Sequence, residues 1–216
     1  MRSKKIEAYK QTLRLSEGQK EILIGVLLGD GHLETQNHER TYRLKIEHAY
    51  WQEKYTLWLY EKFKEWVLTP PQEKQHVVFD RIYREHWFST ISHGAFRFYA
   101  QQFYKDKHKV LPRQIERWLT PLVLAVWFMD DGSIKSKHHR ALILNTQSFS
   151  KAENLILIKI LENKFGVQTH LRPQRNLWQL YINSSTVEKF VELIDPYILP
   201  SMRYKLGMLG NTLPKL

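Results

Sequence analysis

The 216-residue chain contains no cysteine, which excludes disulfides, thiolate zinc sites and cysteine nucleophiles. It also has no long apolar run, since the longest, residues 122–129, is far too short to cross a bilayer. The basic N-terminal stretch lacks the apolar segment of a signal peptide, so secretion is not expected. We therefore expect an intracellular protein with no membrane partner.

Acidic residues are scarce relative to basic ones, with 22 Asp and Glu against 33 Lys and Arg, and the net charge is +11. A positive potential of this kind favours a polyanionic partner. The basic residues are dispersed among 7 Trp, 11 Tyr and 10 Phe and do not form a lysine-rich anchor helix. This distribution favours nucleic acid over an anionic membrane.

Two short stretches resemble each other: LLGDG at 27–31 and FMDDG at 128–132. Each ends an apolar run that is typical of a buried helix, and each places an aspartate at the same point, Asp30 and Asp131. The flanking segments repeat as well, because each motif is followed by two strand-like runs, an amphipathic helix, two further strand-like runs and a closing helix. The sequence therefore predicts an α+β fold of two pseudo-symmetric repeats, 1–110 and 111–216.

The motif helices carry a feature that suggests close packing. Gly25 and Gly29 lie four residues apart, on one face of the first helix, and small residues at this spacing allow two helix backbones to approach. We expect the equivalent helix of the other repeat as the partner, with both C-terminal ends at one end of the interface. Helix C-termini carry partial negative charge, so added aspartates there favour a hard divalent cation such as Mg²⁺.

The two motif aspartates also have two interpretations that involve no metal. Asp-Gly is also an ordinary helix exit, with the glycine in the left-handed cap conformation. A carboxylate pair is also typical of glycosidases, but the charge of +11 fits a neutral sugar poorly.

The strings LIGVLLGDG, LTPLVLAVWFMDDG, LILNTQSFS and IDPYILPSMRYKL resemble the single-chain, two-motif LAGLIDADG homing endonucleases of the I-SceI-like subfamily. The resemblance covers the whole chain and implies two αββαββ repeats, a central two-helix interface and two antiparallel sheets that form a DNA-binding saddle. It also implies an intron-encoded, monomeric enzyme without an obligate protein partner, from an organelle or a microbial cytoplasm. The implied activity is metal-dependent hydrolysis of both strands of a long double-stranded DNA site, leaving 3′ overhangs.

The resemblance also assigns roles to residues that match the family motif. The metal ligands are the carboxylates of the two motif aspartates and the preceding backbone carbonyls: Asp30, Asp131, Gly29 and Asp130. Mg²⁺ is the expected ion, and Mn²⁺ or Ca²⁺ could occupy the same sites. The polar residues that hold metal-bound water, and the active-site lysines, fall on Glu47, Gln147, Lys109 and Lys205. Lys105 and Lys107 compete with Lys109 for the first lysine position.

DNA contacts are expected from the strands and the hairpin loops. In TYRLKIE (41–47) polar and apolar residues alternate, which predicts a strand with one polar face. Basic side chains on antiparallel ribbons can pair with guanine in the major groove. The predicted strand contacts are Arg43, Lys45, Arg81, Tyr83, Arg84, His170, Arg172, Gln179 and Tyr181. The predicted hairpin contacts are Arg40, Lys135, Lys137 and Arg140.

One alternative function remains open at this point. The same scaffold can serve as an intron RNA maturase or as a DNA-binding protein that does not cleave. Both aspartates and both lysine positions are present, so the sequence does not indicate a loss of catalysis.

Overall fold

The computed structural model describes residues 4–136 and 139–211, and its elements follow the predicted repeat. The helices are α1 (Lys4–Thr12), α2 (Glu17–Leu28), α3 (Glu53–Lys62), α4 (Arg97–Phe103), α5 (Ile115–Trp118), α6 (Pro121–Asp131), α7 (Lys151–Phe165) and α8 (Val187–Ile194). The strands are β1 (His32–Glu34), β2 (Arg43–Ala49), β3 (Gln72–Val78), β4 (Arg81–Ser89), β5 (Tyr104–Lys105), β6 (His108–Lys109), β7 (Gly132–Ser136), β8 (His139–Leu144), β9 (Thr169–Gln174) and β10 (Leu177–Ile182).

The strands form two four-stranded antiparallel sheets of the same topology, in the orders β1-β2-β4-β3 and β7-β8-β10-β9. Each sheet follows a motif helix, α2 or α6, and each is interrupted once by an amphipathic helix, α3 or α7. The predicted α+β class and the repeated order of helices and strands are confirmed. The strands β5 and β6 form a separate two-stranded ladder.

The chain divides into two compact units by its packing. The first contains the described part of Met1–Leu23 together with Asp30–Gln101, and the second contains Ile24–Gly29 and the described part of Gln102–Leu216. The core of the first unit includes fully buried aromatic side chains of Trp66 and Phe88, and that of the second includes Trp127 and Phe190. The last turn of α2 therefore belongs by its packing to the unit that contains the second repeat.

Both motif helices begin at local capping signals in the sequence, Ser16 to Gln19 and Thr120-Pro121. Ser16 and Gln19 form a reciprocal capping box, in which each backbone N–H donates to the other residue's side-chain oxygen, at 3.0 and 3.2 Å. At the start of α6, the hydroxyl of Thr120 accepts from the backbone N–H of Val123 at 3.2 Å, and Pro121 occupies the first helical position. Sequence-local signals thus determine where each motif helix starts, and hence where its aspartate falls.

Several elements were not predicted from the sequence pattern: α1, α5, the β5–β6 ladder and the 3-10 segment Pro200–Asn211. Within the last, Gly207 has a left-handed φ of 58°, and a Cβ at this position would lie 2.7 Å from Cγ2 of Ile134. The absence of a side chain at Gly207 therefore allows the segment to pack closely against β7. The packing matters for function because the segment carries Lys205.

No helix in the described part of the chain is long and apolar enough to cross a membrane.

Glu153 links the N-terminus of α7 to the chain before α6. Its carboxylate accepts from the backbone N–H of Ser150 at 2.7 Å and from that of Leu111 at 2.7 Å. Burial alone would raise the pKa of Glu153, but hydrogen bonds from Ser150 and Leu111 outweigh it and lower the pKa. A carboxyl with a lowered pKa stabilises the fold above its unfolded-state pKa, and this stabilisation is lost as the pH falls.

We therefore predict that Glu153→Gln destabilises the protein at pH 7 and that the difference from the wild type shrinks below about pH 5. Urea unfolding at a series of pH values measures this difference. Glu162→Gln, at an exposed position of the same helix, is the control. A destabilisation by Glu153→Gln that does not vary with pH would contradict the prediction.

Candidate functional site

The last turn of α2 lies against α6 at van der Waals distance. A Cβ on Gly25 would lie 2.6 Å from Cβ of Val126, and a Cβ on Gly29 would lie 2.4 Å from Cβ of Asp130. Real Cβ atoms do not approach so closely, so both positions require glycine. The two glycines are absent from the equivalent positions of α6, so one helix supplies the small residues and the other supplies the side chains.

The glycine after the second motif does not serve as an ordinary helix cap. Gly132 has φ −72° and ψ 145°, an extended conformation that any residue adopts, and it begins β7 directly. A Cβ at Gly132 would lie 2.3 Å from Cδ2 and from the carbonyl oxygen of Phe128. The interpretation of this Asp-Gly pair as a left-handed exit is therefore wrong, since the glycine is required by a close contact.

Two lysines reach the backbone carbonyls that precede the motif aspartates. Nζ of Lys109 donates to the carbonyl oxygen of Gly29 at 2.6 Å, and Nζ of Lys205 donates to that of Asp130 at 2.5 Å. These carbonyls lie at the C-terminal ends of α2 and α6, where the helix dipole is negative. Each helix end therefore already attracts a cation to the oxygen expected to bind metal.

The structure distinguishes among the three lysines considered for the first repeat. Lys109 lies on β6, half-buried, with its ammonium group on Gly29. Lys105 and Lys107 are exposed, and Lys107 lies in the tight turn of the ladder with φ 65°. The β5–β6 ladder, which the sequence did not predict, is the element that directs Lys109 toward the helix end.

Asp131 is tied to the neighbouring strand of its own sheet. Its backbone carbonyl accepts from the backbone N–H of Asn145 at 3.0 Å and from Nδ2 of Asn145 at 2.7 Å. Oδ1 of Asn145 in turn accepts from Nε2 of Gln179 at 2.5 Å. Gln179 is only 3% exposed, so it supports Asn145 and does not reach a base, which corrects its predicted role as a DNA contact.

The strand register corrects the internal equivalence of the polar strand-end residues. In the first sheet His32 pairs with Lys45, and counting back two residues puts the position of Asp30, which lies in the turn before β1, level with Glu47. In the second sheet Gly132 pairs with Leu144, which places Asp131 opposite Asn145 and not Gln147. Gln147 lies beyond the strand, with Nε2 at 3.4 Å from Oε1 of Gln174. Asn145 was missed because the hairpin of the second repeat is shorter than that of the first.

Asp30 is exposed and lies in the turn between α2 and β1. A ring nitrogen of His48 and a carboxylate oxygen of Asp30 lie within 4.8 Å of each other. Glu47, on the opposite face of β2, accepts from Nζ of Lys74 at 2.6 Å and lies 3.3 Å from Nζ of Lys45. Burial raises the pKa of Glu47, but hydrogen bonds from Lys74 and Lys45 more than offset this and lower it, so the carboxylate is ionised at neutral pH.

The polar face of the first sheet is a network of alternating charge. Arg43 donates to one oxygen of Glu34 through Nε and Nη2, at 2.9 and 2.7 Å, and Lys45 bridges Glu34 and Glu47. Burial would raise the pKa of Glu34, but the hydrogen bonds from Arg43 and His32 lower it. The face therefore offers both donors and acceptors.

Strand alternation places the three predicted DNA contacts of β4 on two faces. Arg81 and Tyr83 share the face of Glu85, which pairs in register with Ala49 of β2. Arg84 points to the opposite face, where its Nε lies 4.0 Å from Oε1 of Glu73. Arg84 was predicted as a DNA contact together with Arg81 and Tyr83, and strand alternation places it on the other face of β4.

Four of the residues predicted as DNA contacts lie on one face of the second sheet. His170 pairs in register with Tyr181, and Arg172 pairs with Gln179, so all four side chains share a face. His170 and Arg172 are exposed, and the ammonium group of Lys135 lies 5.1 Å from the ring centroid of Tyr181. The described strands β7 to β10 contain no acidic residue, so this sheet is the more basic of the two.

The predicted hairpin contacts are placed in part. Arg40 is exposed after a loop in which His38 and Glu39 have positive φ. Arg140, at the start of β8, forms an ion pair with Glu188. Lys137 and the neighbouring His138 lie outside the described residues.

Comparison with known proteins gives the family. The family model of the LAGLIDADG DNA endonuclease family matches residues 20–190. This chain belongs to that family. A LAGLIDADG relative, the probable intron-encoded endonuclease 1 of Wickerhamomyces canadensis, is 34% identical over 214 residues, covering 94% of this chain and 90% of the relative.

A second relative and a solved structure are also similar to this chain along nearly their full lengths. DNA endonuclease I-ChuI of Chlamydomonas applanata is 28% identical over 211 residues, covering 90% of this chain and 97% of the relative. The solved structure of the homing endonuclease I-WcaI bound to its DNA recognition sequence matches with a TM-score of 0.89 and 31% identity, covering 94% of this chain and 92% of that one. The match confirms the fold predicted for the LAGLIDADG chain.

Proposed function

We propose that this chain is a site-specific homing endonuclease that hydrolyses both strands of a long double-stranded DNA site as a monomer, leaving 3′ overhangs. The observation that carries the proposal is the repeated pairing of a motif aspartate with a lysine on the preceding carbonyl, at Gly29 and Asp130. Membership of the family and the likeness to a DNA-bound homing endonuclease support it. Because its substrate is DNA, we place its action inside the cell.

We propose that divalent metal, Mg²⁺ first, binds at the carboxylates of Asp30 and Asp131 and at the carbonyls of Gly29 and Asp130. The donor set fits, since all four groups offer oxygen, the ligand that hard cations prefer. Each carbonyl also already accepts from an ammonium group, which shows that its environment tolerates positive charge. When bound, the metal would polarise the scissile phosphate and lower the pKa of an attacking water.

The chain's own residues complete the proposed chemistry. Lys109 and Lys205, held beside the helix ends, would neutralise the charge that develops on the phosphate oxygens. Asn145 stands opposite Asp131 in register, and Glu47 lies at the same level of the first sheet. We propose that the Glu47 carboxylate orients water by accepting its hydrogen, and that Asn145 holds the backbone of Asp131.

We propose that the two sheets read DNA in different ways. The first sheet presents ion-paired Arg43 and Lys45 beside Glu34 and Glu47, so it can donate to guanine and accept from cytosine in the major groove. The second sheet presents His170, Arg172 and Tyr181, which favours contacts with acceptors and with phosphate.

Selection of cleaved molecules from a randomised duplex library with Mg²⁺ tests the proposal. Recovery of one long asymmetric sequence cut on both strands is the expected result, and the selected duplex then serves as the substrate for all variants. Binding of a specific duplex without any cleavage in Mg²⁺ or Mn²⁺ would contradict the proposal and favour a protein that binds but does not cleave.

We predict that Lys109→Met and Lys205→Met each slow cleavage of the selected duplex by about 10²-fold, because each removes a charge that stabilises the transition state. Single-turnover cleavage at saturating protein measures this effect. Lys105→Met and Lys107→Met are the matched controls, since both remove an exposed charge from the same ladder. A larger loss with either control than with Lys109→Met would reassign the active-site lysine.

A further inference from the structure

His48 has no role in the proposed mechanism, although it is one of the few buried polar residues of the first unit. It is 4% exposed, and its Nδ1 lies 2.9 Å from Oγ1 of Thr56 on α3. Its ring also packs against Tyr55, with 4.9 Å between the ring centroids. A ring nitrogen of His48 and a carboxylate oxygen of Asp30 lie within 4.8 Å of each other. Because Nδ1 contacts Thr56, Nε2 is the nitrogen that can interact with this carboxylate.

The second repeat shows what the fold itself requires at this position. There the strand-end residue is Thr146, whose hydroxyl donates to Oδ1 of Asn154 on α7 at 2.5 Å. The spacing of eight residues is the same as from His48 to Thr56, and all four side chains are buried. A threonine–asparagine pair therefore joins strand to helix as well as a histidine–threonine pair does. The need to join this strand to its helix therefore does not explain why the first repeat has a histidine at position 48.

The two repeats also differ in how each aspartate is held. In the second repeat, Asn145 donates from its side chain to the carbonyl of Asp131. In the first repeat the register position of Asn145 is occupied by Glu47, whose ionised carboxylate has no hydrogen to donate and is engaged by Lys74 and Lys45. Glu47 therefore cannot play the donor role that Asn145 plays, and His48 is its neighbour on the same strand.

We propose that His48 is a positioning residue that orients the carboxylate of Asp30 through Nε2. The second repeat has no counterpart, because Thr146 is too short to extend beyond Asn154. The inference rests on the proposed function, since it assigns a partner to one metal-binding aspartate. It makes the two aspartates unequal: Asp30 depends on an imidazole, and Asp131 depends on an amide.

The decisive variant transplants the pair of the second repeat into the first, as His48→Thr with Thr56→Asn. This exchange retains a buried hydrogen bond between β2 and α3 and removes the imidazole. We expect it to fold and to slow cleavage by about 10-fold or more, on the strand that Asp30→Asn also slows. Strand-specific single-turnover cleavage of an end-labelled selected duplex measures the effect.

A second measurement does not depend on turnover. Calorimetric titration of Ca²⁺ into the complex with the selected duplex should show metal affinity reduced by about 10-fold in the double variant. His48→Gln, which can retain an N–H donor, should recover more of both properties than His48→Leu, which retains volume only. This second pair keeps the test valid if the double variant does not fold.

The inference is overturned if the double variant matches the wild type in cleavage and in Ca²⁺ affinity. It is also overturned if His48→Gln and His48→Leu are equally impaired, because a purely structural role predicts that result. Failure of the wild type to cleave any duplex would instead refute the proposed function, so the two failures are distinguishable.

Discussion

Asp30→Asn and Asp131→Asn should each reduce double-strand cleavage of the selected duplex by about 10³-fold or more, which corresponds to roughly 4 kcal/mol of lost transition-state stabilisation. An amide has the shape of a carboxylate but lacks the charge that a hard cation requires. Asp30 is exposed, so replacing it with asparagine should change the free energy of unfolding by less than about 0.5 kcal/mol. The loss should therefore appear in cleavage and in Ca²⁺ binding and leave thermal stability nearly unchanged.

The matched control for the aspartates is Glu192→Gln, which removes one exposed carboxylate from α8. It changes the net charge by the same amount and should cleave at the wild-type rate. Titration of Mg²⁺ from micromolar to tens of millimolar separates weakened metal binding from a direct loss of catalysis. Wild-type cleavage by Asp30→Asn and by Asp131→Asn would refute the assignment of the metal ligands.

The second large effect concerns stability. Gly25→Ala would bring a Cβ to 2.6 Å from Cβ of Val126, which forces the two helices apart and should destabilise the protein by about 1–3 kcal/mol. Gly18→Ala, on the same helix, meets no atom within 4 Å and should stabilise by about 0.5–1 kcal/mol, because alanine loses less backbone entropy than glycine. Urea unfolding of the three proteins gives the difference.

A rescue variant tests the cause of this destabilisation. Gly25→Ala combined with Val126→Gly exchanges the glycine between the helices and removes the two nearest contacting atoms. It should recover part of the lost stability even though Val126→Gly alone is destabilising. If the losses in free energy of unfolding caused by the two single substitutions simply add in the double variant, the overlap between Gly25 and Val126 is not the cause.

The sequence was sufficient for features that depend on local signals. The capping residues Ser16 and Thr120 mark where the motif helices begin, and the spacing of Gly25 and Gly29 identifies the face that packs closely. The alternation in β2 likewise predicted its polar face, and the burial pattern of that strand is regular. Each of these features is determined within a few residues of chain.

The features that could not be predicted depend on register and on connections of unknown length. Assigning Asn145 as the partner of Asp131 requires the exact length of the β7–β8 hairpin, because one residue of slip moves every side chain to the other face. The face that Arg84 occupies could not be predicted for the same reason, since only the β4 register shows it. The proximity of His48 to Asp30 depends on where β2 lies against the motif, which no local pattern encodes.

The division of α2 between the two units has a consequence for anyone who wishes to split the protein. Because residues 24–29 pack with the second unit, a fragment that begins at residue 111 lacks a segment of its own core and leaves Val126 without its glycine neighbour. Two fragments cut at the repeat boundary would therefore complement each other only if the first fragment supplied the last turn of α2 to the core of the second. A circular permutant that keeps α2 intact is the better starting point for hybrid enzymes.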